Sequence, residues 1–278
     1  ELGGHSLLAM KMMSLIRKKL QLELSLRDIF SHSILKQLSH HIERLETTTS
    51  LPPITRREGV SFIPLSLSQE RLWILDQMEG SVQYHLPRIL RLRGELDLKS
   101  LELSIGDICR RHEVLRTVFR QTDQGLYQHV QEVDAFTLNV RDVGRWTHQE
   151  YEAEIKRLVS RPFDLAHDMM IRADLLRFSS EDHVLVVVMH HIASDAWSVP
   201  IMVREFVALY NAYSQGRTPA LPSLSLQYSD YALWQREHIT QEILTSKLEY
   251  WKQKLSDSVS LELSTDYPRP AVRGIRGS

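Results

Sequence analysis

Residues 186–198 read VVVMHHIASDAWS, and this stretch guides the interpretation of the whole chain. It overlaps an apolar run, Val184–Met189, that offers hydrophobic side chains to both faces of an extended strand. Such a run needs cover on both sides, so Val184–Met189 is predicted to be a central strand of a covered sheet. His190 and His191 close the strand, and neighbouring strand residues point to opposite faces. The two rings therefore cannot converge on one ion, which argues against a zinc site built from the pair.

The sequence around this strand alternates between helical and extended patterns. Helices are predicted at roughly 68–78, 98–112, 149–160, 199–212 and 228–255. Extended segments are predicted at 84–92, 169–178 and 183–191, with a hairpin at 115–131 that turns at Asp123–Gly125. Alternation of this kind predicts an α/β lobe with two layers.

The first 45 residues carry a different pattern. Apolar residues recur at helical spacing from Leu8 to Ile16, and shorter helices are expected at Leu26–Phe30 and after Ser33. The periodicity then stops in ETTTSLPPITRREG, which is typical of a linker. The predicted organisation is a small all-α helical bundle at 1–46, a linker at 47–63 and the α/β lobe at 64–278.

The charge balance and the single cysteine limit the classes of function. The chain has 34 Lys and Arg residues against 35 Asp and Glu residues, a formal net charge of -1. This balance gives no general attraction to nucleic acid or to an anionic membrane, and no apolar run approaches the ~20 residues of a membrane helix. Cys109, the single cysteine, cannot form an internal disulfide, which is usual in cytosolic proteins, and its apolar sequence pattern predicts a buried thiol. We therefore expect a cytoplasmic protein with no nucleic acid or membrane partner.

Ser6 follows two glycines in the opening stretch ELGGHSLLA. Gly3 and Gly4 allow a tight turn with an unobstructed approach to the backbone. A serine at the start of a helix lies next to free N–H groups and the positive end of the helix dipole, which favour a phosphate. Ser6 is therefore a candidate for a phosphodiester link to a prosthetic group, although the same pattern alone is most often a loop and a helix cap.

The stretch from Leu2 to Glu43 resembles the C-terminal two-thirds of peptidyl carrier domains almost from end to end. Those domains carry LGG(H/D)SL, a basic helix, a short helix that ends in Phe and a final helix. The resemblance implies that Ser6 bears 4'-phosphopantetheine, added by a phosphopantetheinyl transferase, and that the cofactor's thiol holds an aminoacyl or peptidyl group. It also implies an N-terminally truncated carrier domain, because about forty residues make a small core.

Asp195 follows His191 by four residues, which gives the pattern HHxxxD ahead of Ala196, Trp197 and Ser198. This pattern resembles the signature of the condensation domains of nonribosomal peptide synthetases, which is shared with chloramphenicol acetyltransferase-like acyltransferases. Three further segments match condensation motifs in the same order: PLSLSQERLWILDQ at 64–77, RHEVLRTVF at 111–119 and YSDYALWQ at 228–235. One position departs from the family pattern, since Ala196 stands where the family has Gly. If the backbone there required a positive φ, Ala would cost about 1 kcal/mol.

The resemblance assigns roles to the residues of these motifs. His191 is expected to face the site, where it removes a proton from the attacking amine or orients that amine. Asp195 is expected to be structural and to pair with an arginine of the second motif, Arg116 rather than Arg111. The remaining motif residues are expected to support the site: His190 in the core at the strand end, and Trp197 and Ser198 along its wall.

The resemblance implies that the chain is part of a nonribosomal peptide synthetase. The carrier serine would hold a donor loaded by an upstream adenylation domain, and the condensation domain would join that donor to the acceptor aminoacyl thioester of a downstream carrier domain. Three alternatives stay open: an acyltransferase of the same superfamily that uses coenzyme A, an epimerisation domain, and a catalytically incomplete fragment that serves only as a carrier or docking piece. In the family the site lies between two similar lobes, so residues 64–278 are expected to form the N-terminal lobe alone and to be inactive in isolation.

Overall fold

The chain forms two compact units, Glu1–Pro53 and Ile54–Ser278. The structure, a computed structural model, describes residues 6–20, 22, 24–45, 52–132, 136–144, 146–259 and 266–268, apart from the side chains of Ser6, Leu7 and Lys18. Each unit has buried apolar side chains of its own.

The described part of the first unit contains the three predicted helices: α1 Ser6–Leu20, α2 Leu26–Ser31 and α3 Leu35–Glu43. Helix α2 starts at a capping box, in which the Ser25 hydroxyl accepts from the Asp28 amide at 3.1 Å. The Asp28 carboxylate accepts in return from the Ser25 amide at 2.8 Å. Leu24, Ile29 and Leu38 are buried, which gives these short helices an apolar contact.

The second unit alternates strands with helices along the chain. Its strands are β1 Ile63–Pro64, β2 His85–Arg93, β3 Thr117–Thr122, β4 Gly125–Val130, β5 Asn139–Asp142, β6 Ile171–Arg177 and β7 Asp182–His190. Its helices are α4 Leu67–Glu79, α5 Leu98–Arg111, α6 His148–Ser160, α7 Ser198–Tyr213, α8 Tyr228–His238 and α9 Gln241–Leu255. Among all the described residues, no helix is both long enough and apolar enough to cross a bilayer.

Two sheets organise the described part of the second unit. The larger sheet has the order β2–β7–β6–β5, with β5 parallel to β6 and the other pairs antiparallel. Strand β7 lies inside this sheet between β2 and β6, so the prediction of a central strand over Val184–Met189 is confirmed. The smaller sheet, β1–β4–β3, contains the predicted hairpin, which turns between Thr122 and Gly125.

Apolar side chains cover the larger sheet on both faces. On one face, Leu185 of β7 belongs to a buried cluster with Leu101 of α5 and Leu209 of α7. On the other face, Val186 of β7 belongs to a second cluster with Leu158 of α6. The prediction of two layers is therefore wrong for this sheet, which lies between two helical layers. The physical reason is the strand itself, because a run that is apolar on both faces must be covered from both sides.

The single helix predicted at 228–255 is also wrong, because the chain forms two helices, α8 and α9, with a break at Ile239 and Thr240. Ile239 leaves the helical conformation at φ -97° and ψ 79°. Thr240 is extended, and its hydroxyl accepts from the Ile243 amide at 3.5 Å, as an N-cap does. Both residues at the break are β-branched, which lowers helix propensity and favours a break at this pair.

The second half of the predicted linker at 47–63 belongs instead to the second unit, which begins at Ile54. Arg57 anchors this segment. Its guanidinium pairs with Glu113 at 2.5 Å and with Asp230 at 3.2 Å, and its backbone amide donates to Asp230 at 3.0 Å. Long-range ion pairs therefore help to hold this segment on the second unit, and such contacts leave no periodic pattern in the sequence.

Candidate active site

Strand β7 ends at the paired histidines, and the backbone holds both of them. The His190 amide donates to the Met170 carbonyl at 3.1 Å, and the His191 amide donates to the Tyr84 carbonyl at 2.9 Å. The His190 side chain is fully buried, whereas His191 is exposed. The pair thus places one ring in the core and one at the surface, which agrees with the alternation of a strand.

The structure holds His190 as a neutral ring. The Ile192 amide donates to its Nδ1 at 3.0 Å, so the ring hydrogen belongs on Nε2. The ring packs edge-on against Phe163 and His85, with centroids 5.7 and 6.0 Å away. Burial, with added repulsion from neighbouring positive charge, lowers the pKa of His190 to about 3. The ring therefore stays neutral at ordinary pH and keeps its bond to Ile192.

A buried arginine lies behind His190. Arg172 of β6 places its guanidinium carbon 3.8 Å from the centre of the Phe163 ring. It donates to the carbonyls of Arg161 at 2.5 Å and Pro162 at 2.8 Å. Burial lowers the pKa of Arg172 to about 10, so it remains positively charged near neutral pH. Arg172 thus fastens the segment that carries Phe163 against the face of the sheet to which His190 belongs.

Asp195 fastens the turn after His191 to helix α7. Its Oδ1 accepts from the Ser198 amide at 2.8 Å and from the Ser198 hydroxyl at 2.6 Å, and its carbonyl accepts from the Val199 amide at 3.3 Å. Partial burial raises the pKa of Asp195, but the bonds from Ser198 and Trp197 and the charge of His191 outweigh it and lower the pKa overall. A carboxylate here also suits the positive end of the helix dipole.

Among the described residues, Asp195 forms no ion pair with an arginine of the second motif. The prediction of such a pair is therefore wrong for the described part of the chain. Arg111 pairs through Nε with Glu205 of α7 at 3.1 Å. Arg116 donates through Nη1 to the Gln131 carbonyl at 2.5 Å. The aspartate accepts instead from the helix that directly follows it, which lies nearer along the chain than either arginine.

Two contacts join the site to its surroundings and were not predicted from the sequence motifs. His112 pairs through Nε2 with Glu205 at 2.6 Å, next to Arg111. The Tyr228 hydroxyl of the fourth motif lies 2.9 Å from the Ser66 hydroxyl of the first motif. Burial is the main cause that raises the pKa of Tyr228, and the charge of Asp195 contributes to the rise.

The remaining predicted residues differ in their accessibility. The Trp197 side chain is 49% exposed just before α7, and Ala196 is exposed in the turn. Ser6 begins helix α1, but its side chain lies outside the described residues. Cys109 is fully buried, which confirms the predicted buried thiol, and burial raises its pKa to about 12. Within the described ranges, no group of three or more His, Cys, Asp or Glu side chains is placed to hold a metal ion.

Comparison with known protein families shows the family of the chain. Residues 60–278 match the family model of the condensation domain. The chain belongs to the condensation-domain family. Its condensation unit follows a carrier unit, because residues 1–42 match the family model of the phosphopantetheine attachment site. The carrier unit is thus of the kind to which 4'-phosphopantetheine is attached.

Curated relatives of this condensation-family chain are large peptide synthases. A linear gramicidin synthase protein of Brevibacillus parabrevis is 40% identical over 286 residues, which cover 100% of this chain and 6% of that protein. The dimodular nonribosomal peptide synthase of Bacillus subtilis (strain 168) is 37% identical over 280 residues, which cover 98% of this chain and 12% of that protein. The chain therefore spans a small part of these relatives, and its carrier and condensation units occur together in nonribosomal peptide synthetases.

Solved structures share the fold of the condensation unit. The X-domain in its complex with OxyB from teicoplanin biosynthesis is 31% identical with a TM-score of 0.72, over 81% of this chain and 50% of that one. The starter condensation domain of rhizomide synthetase RzmA is 18% identical with a TM-score of 0.61, over 71% of this chain and 48% of that one. The second comparison bears on the fold alone. Both solved chains are matched over about half of their length.

Proposed function

We propose that the condensation unit of this chain, as part of a complete nonribosomal peptide synthetase, forms an amide bond between a carrier-bound acyl donor and the amine of an acceptor aminoacyl thioester. One observation carries this proposal. At the end of the central strand β7, His191 is exposed while His190 stays buried and neutral. The HHxxxD motif thus offers one accessible imidazole of its pair, inside the unit that matches the condensation domain.

The proposed reaction balances without an external reagent. The amine nitrogen attacks the thioester carbonyl carbon, a C–N bond forms, and the C–S bond breaks. The amine gives up one proton, and the departing thiolate takes one up. Because a thioester is already activated, the main task is to hold the two partners together, and the resulting effective molarity can supply several kcal/mol.

His191 is the proposed residue at the reacting nitrogen. Its imidazole either accepts the amine proton or holds the amine by a hydrogen bond, and both roles need the ring at the same place. Proton transfer by a positioned side chain typically contributes ~10²–10⁴-fold. Asp195 and Ser198 serve this ring indirectly, because their bonds fix the turn between the strand and α7. Trp197, exposed beside that turn, is proposed to line the cleft.

Ser6 is the proposed attachment point for 4'-phosphopantetheine. Residues 1–42 match the attachment-site family, and α1 begins at Ser6. The free N–H groups in the first turn of that helix suit a phosphate on the residue at its start, so the local structure fits the group. The cofactor, when attached, supplies a thiol at the end of a long arm. Ser6 provides the hydroxyl that carries the phosphodiester, and a phosphopantetheinyl transferase is the proposed partner that modifies it.

The carrier unit also supports the choice of donor and of further partners. The match of residues 1–42 to an attachment site favours a donor held on a carrier over free coenzyme A. The proposed partners are an upstream adenylation domain that loads the carrier and a downstream carrier domain that brings the acceptor. We propose a cytoplasmic setting in which neither nucleic acid nor a membrane takes part.

A second candidate function is supported by the structural comparisons. The solved X-domain chain and the solved starter domain are matched over 50% and 48% of their lengths. We propose that residues 54–278 form one side of a cleft whose other side comes from a second lobe. On its own, the 278-residue chain would then act as a carrier piece and form no peptide bond.

A complete synthetase module that includes this chain tests the main proposal. His191→Ala is expected to lower dipeptide formation by about 10²-fold or more, while Ser6 still gains the mass of a phosphopantetheinyl group. His148→Ala is the matched control, because the His148 side chain on α6 is 81% exposed. Mass spectrometry of the carriers and of the product separates loading from condensation.

Two outcomes would contradict these proposals. A normal dipeptide yield from His191→Ala, or an equal loss from His148→Ala, would remove the assigned role of His191. Dipeptide formed by the isolated 278-residue chain from two loaded carriers would remove the half-cleft proposal.

A further inference from the structure

Helix α7 is fastened to the second motif by one carboxylate, that of Glu205. Its Oε1 lies 3.1 Å from Arg111 Nε, and its Oε2 lies 2.6 Å from His112 Nε2. The Glu205 side chain is 13% exposed, and those of Arg111 and His112 are 16% and 19% exposed. These three residues, called the clamp below, are largely removed from water, where ion pairs are stronger than at the surface.

The clamp lies on the same face of α7 as Ser198, the first residue of the helix. Ser198 and Glu205 are seven residues apart, which is close to two turns and about 10 Å along the axis. Met202 and Leu209 share this face, and both pack in the apolar cluster on one side of the larger sheet. Because apolar packing is non-directional, polar contacts fix the position of α7 along α5, and the clamp is the one of them that lies nearest the start of α7.

The start of α7 is bonded to Asp195 through the amide and the hydroxyl of its first residue. We propose that Glu205 is a positioning residue for His191: it fixes α7, the first residue of α7 holds Asp195, and Asp195 holds the turn on which His191 stands. This inference rests on the proposed role of His191 in amide bond formation. The inference also assigns a role to the second motif, because Arg111 and His112 hold α7, the helix that follows the HHxxxD turn.

A second polar contact joins the same two helices further from the turn. The Tyr213 hydroxyl, on the last residue of α7, donates to Asp107 of α5, and Asp107 also pairs with Arg110. Loss of this contact weakens the packing of α5 on α7. The clamp still holds the N-terminal end of α7, which is bonded to Asp195. Asp107→Asn is therefore a matched control for Glu205→Gln.

The expected effect of Glu205→Gln is a small shift at the start of α7. The variant keeps the length of the side chain and one acceptor oxygen, but it removes the charge that Arg111 and His112 share. A misplacement of about 1 Å far from the reacting atoms can cost about 10²-fold in rate. Because the clamp acts on the turn and not on the binding of the carriers, the loss is expected in kcat and not in KM.

A spectroscopic test uses the full 278-residue chain and needs no activity. The chain has five tryptophans, and Trp197 directly precedes α7. In protein labelled with 5-fluorotryptophan, Trp197→Phe assigns the fluorine resonance of Trp197. Glu205→Gln is expected to move this resonance by more than its line width, whereas Asp107→Asn is expected to leave it in place. His112→Asn removes one of the two clamp contacts and replaces Glu205→Gln if that variant does not fold.

The kinetic test uses a complete module that contains the chain, with both carriers loaded. Glu205→Gln is expected to lower kcat at least about tenfold with KM unchanged, and Asp107→Asn to change neither. An unmoved Trp197 resonance in Glu205→Gln and His112→Asn, or equal effects of Asp107→Asn, would overturn the inference. His191→Ala runs in parallel: full activity there removes the proposed function, while loss of activity there with a normal Glu205→Gln removes the clamp inference alone.

Discussion

Acidification from about pH 7 to about pH 4 is expected to weaken the folded state through the buried ring of His190. Burial, with repulsion from neighbouring positive charge, lowers the pKa of His190 from 6.5 to about 3. Between these values the unfolded chain binds a proton on this ring and the folded chain does not. The stabilising contribution is therefore complete above the unfolded pKa of 6.5 and is lost as the pH falls toward about 3.

The size of the effect follows from this difference in proton binding. Each pH unit inside the window lowers the free energy of unfolding by ~1.4 kcal/mol for one proton. From about pH 7 to about pH 4 the total is ~3 kcal/mol, against a typical domain stability of ~5–15 kcal/mol. Protonation would also break a local contact, because an imidazolium has hydrogen on both nitrogens and its Nδ1 can no longer accept from the Ile192 amide 3.0 Å away.

His190→Asn provides the matched comparison, because the Asn side-chain oxygen can accept from Ile192 and does not titrate. Urea unfolding at a series of pH values gives the free energy of unfolding for both proteins. The wild-type value is expected to fall by ~3 kcal/mol more than the variant's over this range. His85, whose pKa burial also lowers, remains in both proteins, so only its interaction with the His190 ring enters the difference. Equal pH dependence in the two proteins would refute the assignment of a neutral, buried His190.

Three changes test other parts of the second unit. Leu101→Ala removes a fully buried side chain and is expected to lower the free energy of unfolding, measured with urea, by ~2–5 kcal/mol. Leu90 is 47% exposed, so Leu90→Ala is expected to lower it by less than ~1 kcal/mol. Equal losses in the two variants would contradict the assigned core. Arg57→Ala removes two ion pairs, so trypsin should cut after Arg56 faster than in the wild type, and an unchanged rate would count against the anchor. The Cys109 thiol, whose pKa burial raises to about 12, should resist a thiol reagent until urea is added; rapid labelling of the native protein would contradict its burial.

The central strand could be predicted from sequence because its evidence is local. Val184–Met189 is apolar at every position, and only a strand covered on both faces suits such a run. The same argument implies helices on both sides of the sheet. The prediction of two layers was therefore inconsistent with this apolar run, which needs cover on both faces. The break between α8 and α9 was also readable in principle, since Thr240 caps α9 and follows β-branched Ile239.

The contacts that arrange the site could not be read in the same way. Asp195 and Ser198 are three residues apart at the start of a helix, a local spacing that favours a bond between them. The family resemblance pointed instead to a distant arginine. Glu205 pairs with Arg111 across more than ninety intervening residues, and Arg57 with Asp230 across 173 positions of chain. Partners at such separations depend on how the helices pack, which no spacing in the sequence encodes.

Two groups hold the turn that carries His191, one on each side, and each must be unprotonated at the atom that accepts the hydrogen bond. On the strand side, His190 accepts from Ile192 only while its ring is neutral. On the helix side, Asp195 accepts from Ser198 most strongly as a carboxylate. Both groups have lowered pKa values, His190 through burial and Asp195 through its hydrogen bonds, which outweigh partial burial. The two supports therefore keep their working forms at neutral pH, and the turn that carries His191 is expected to keep its shape there.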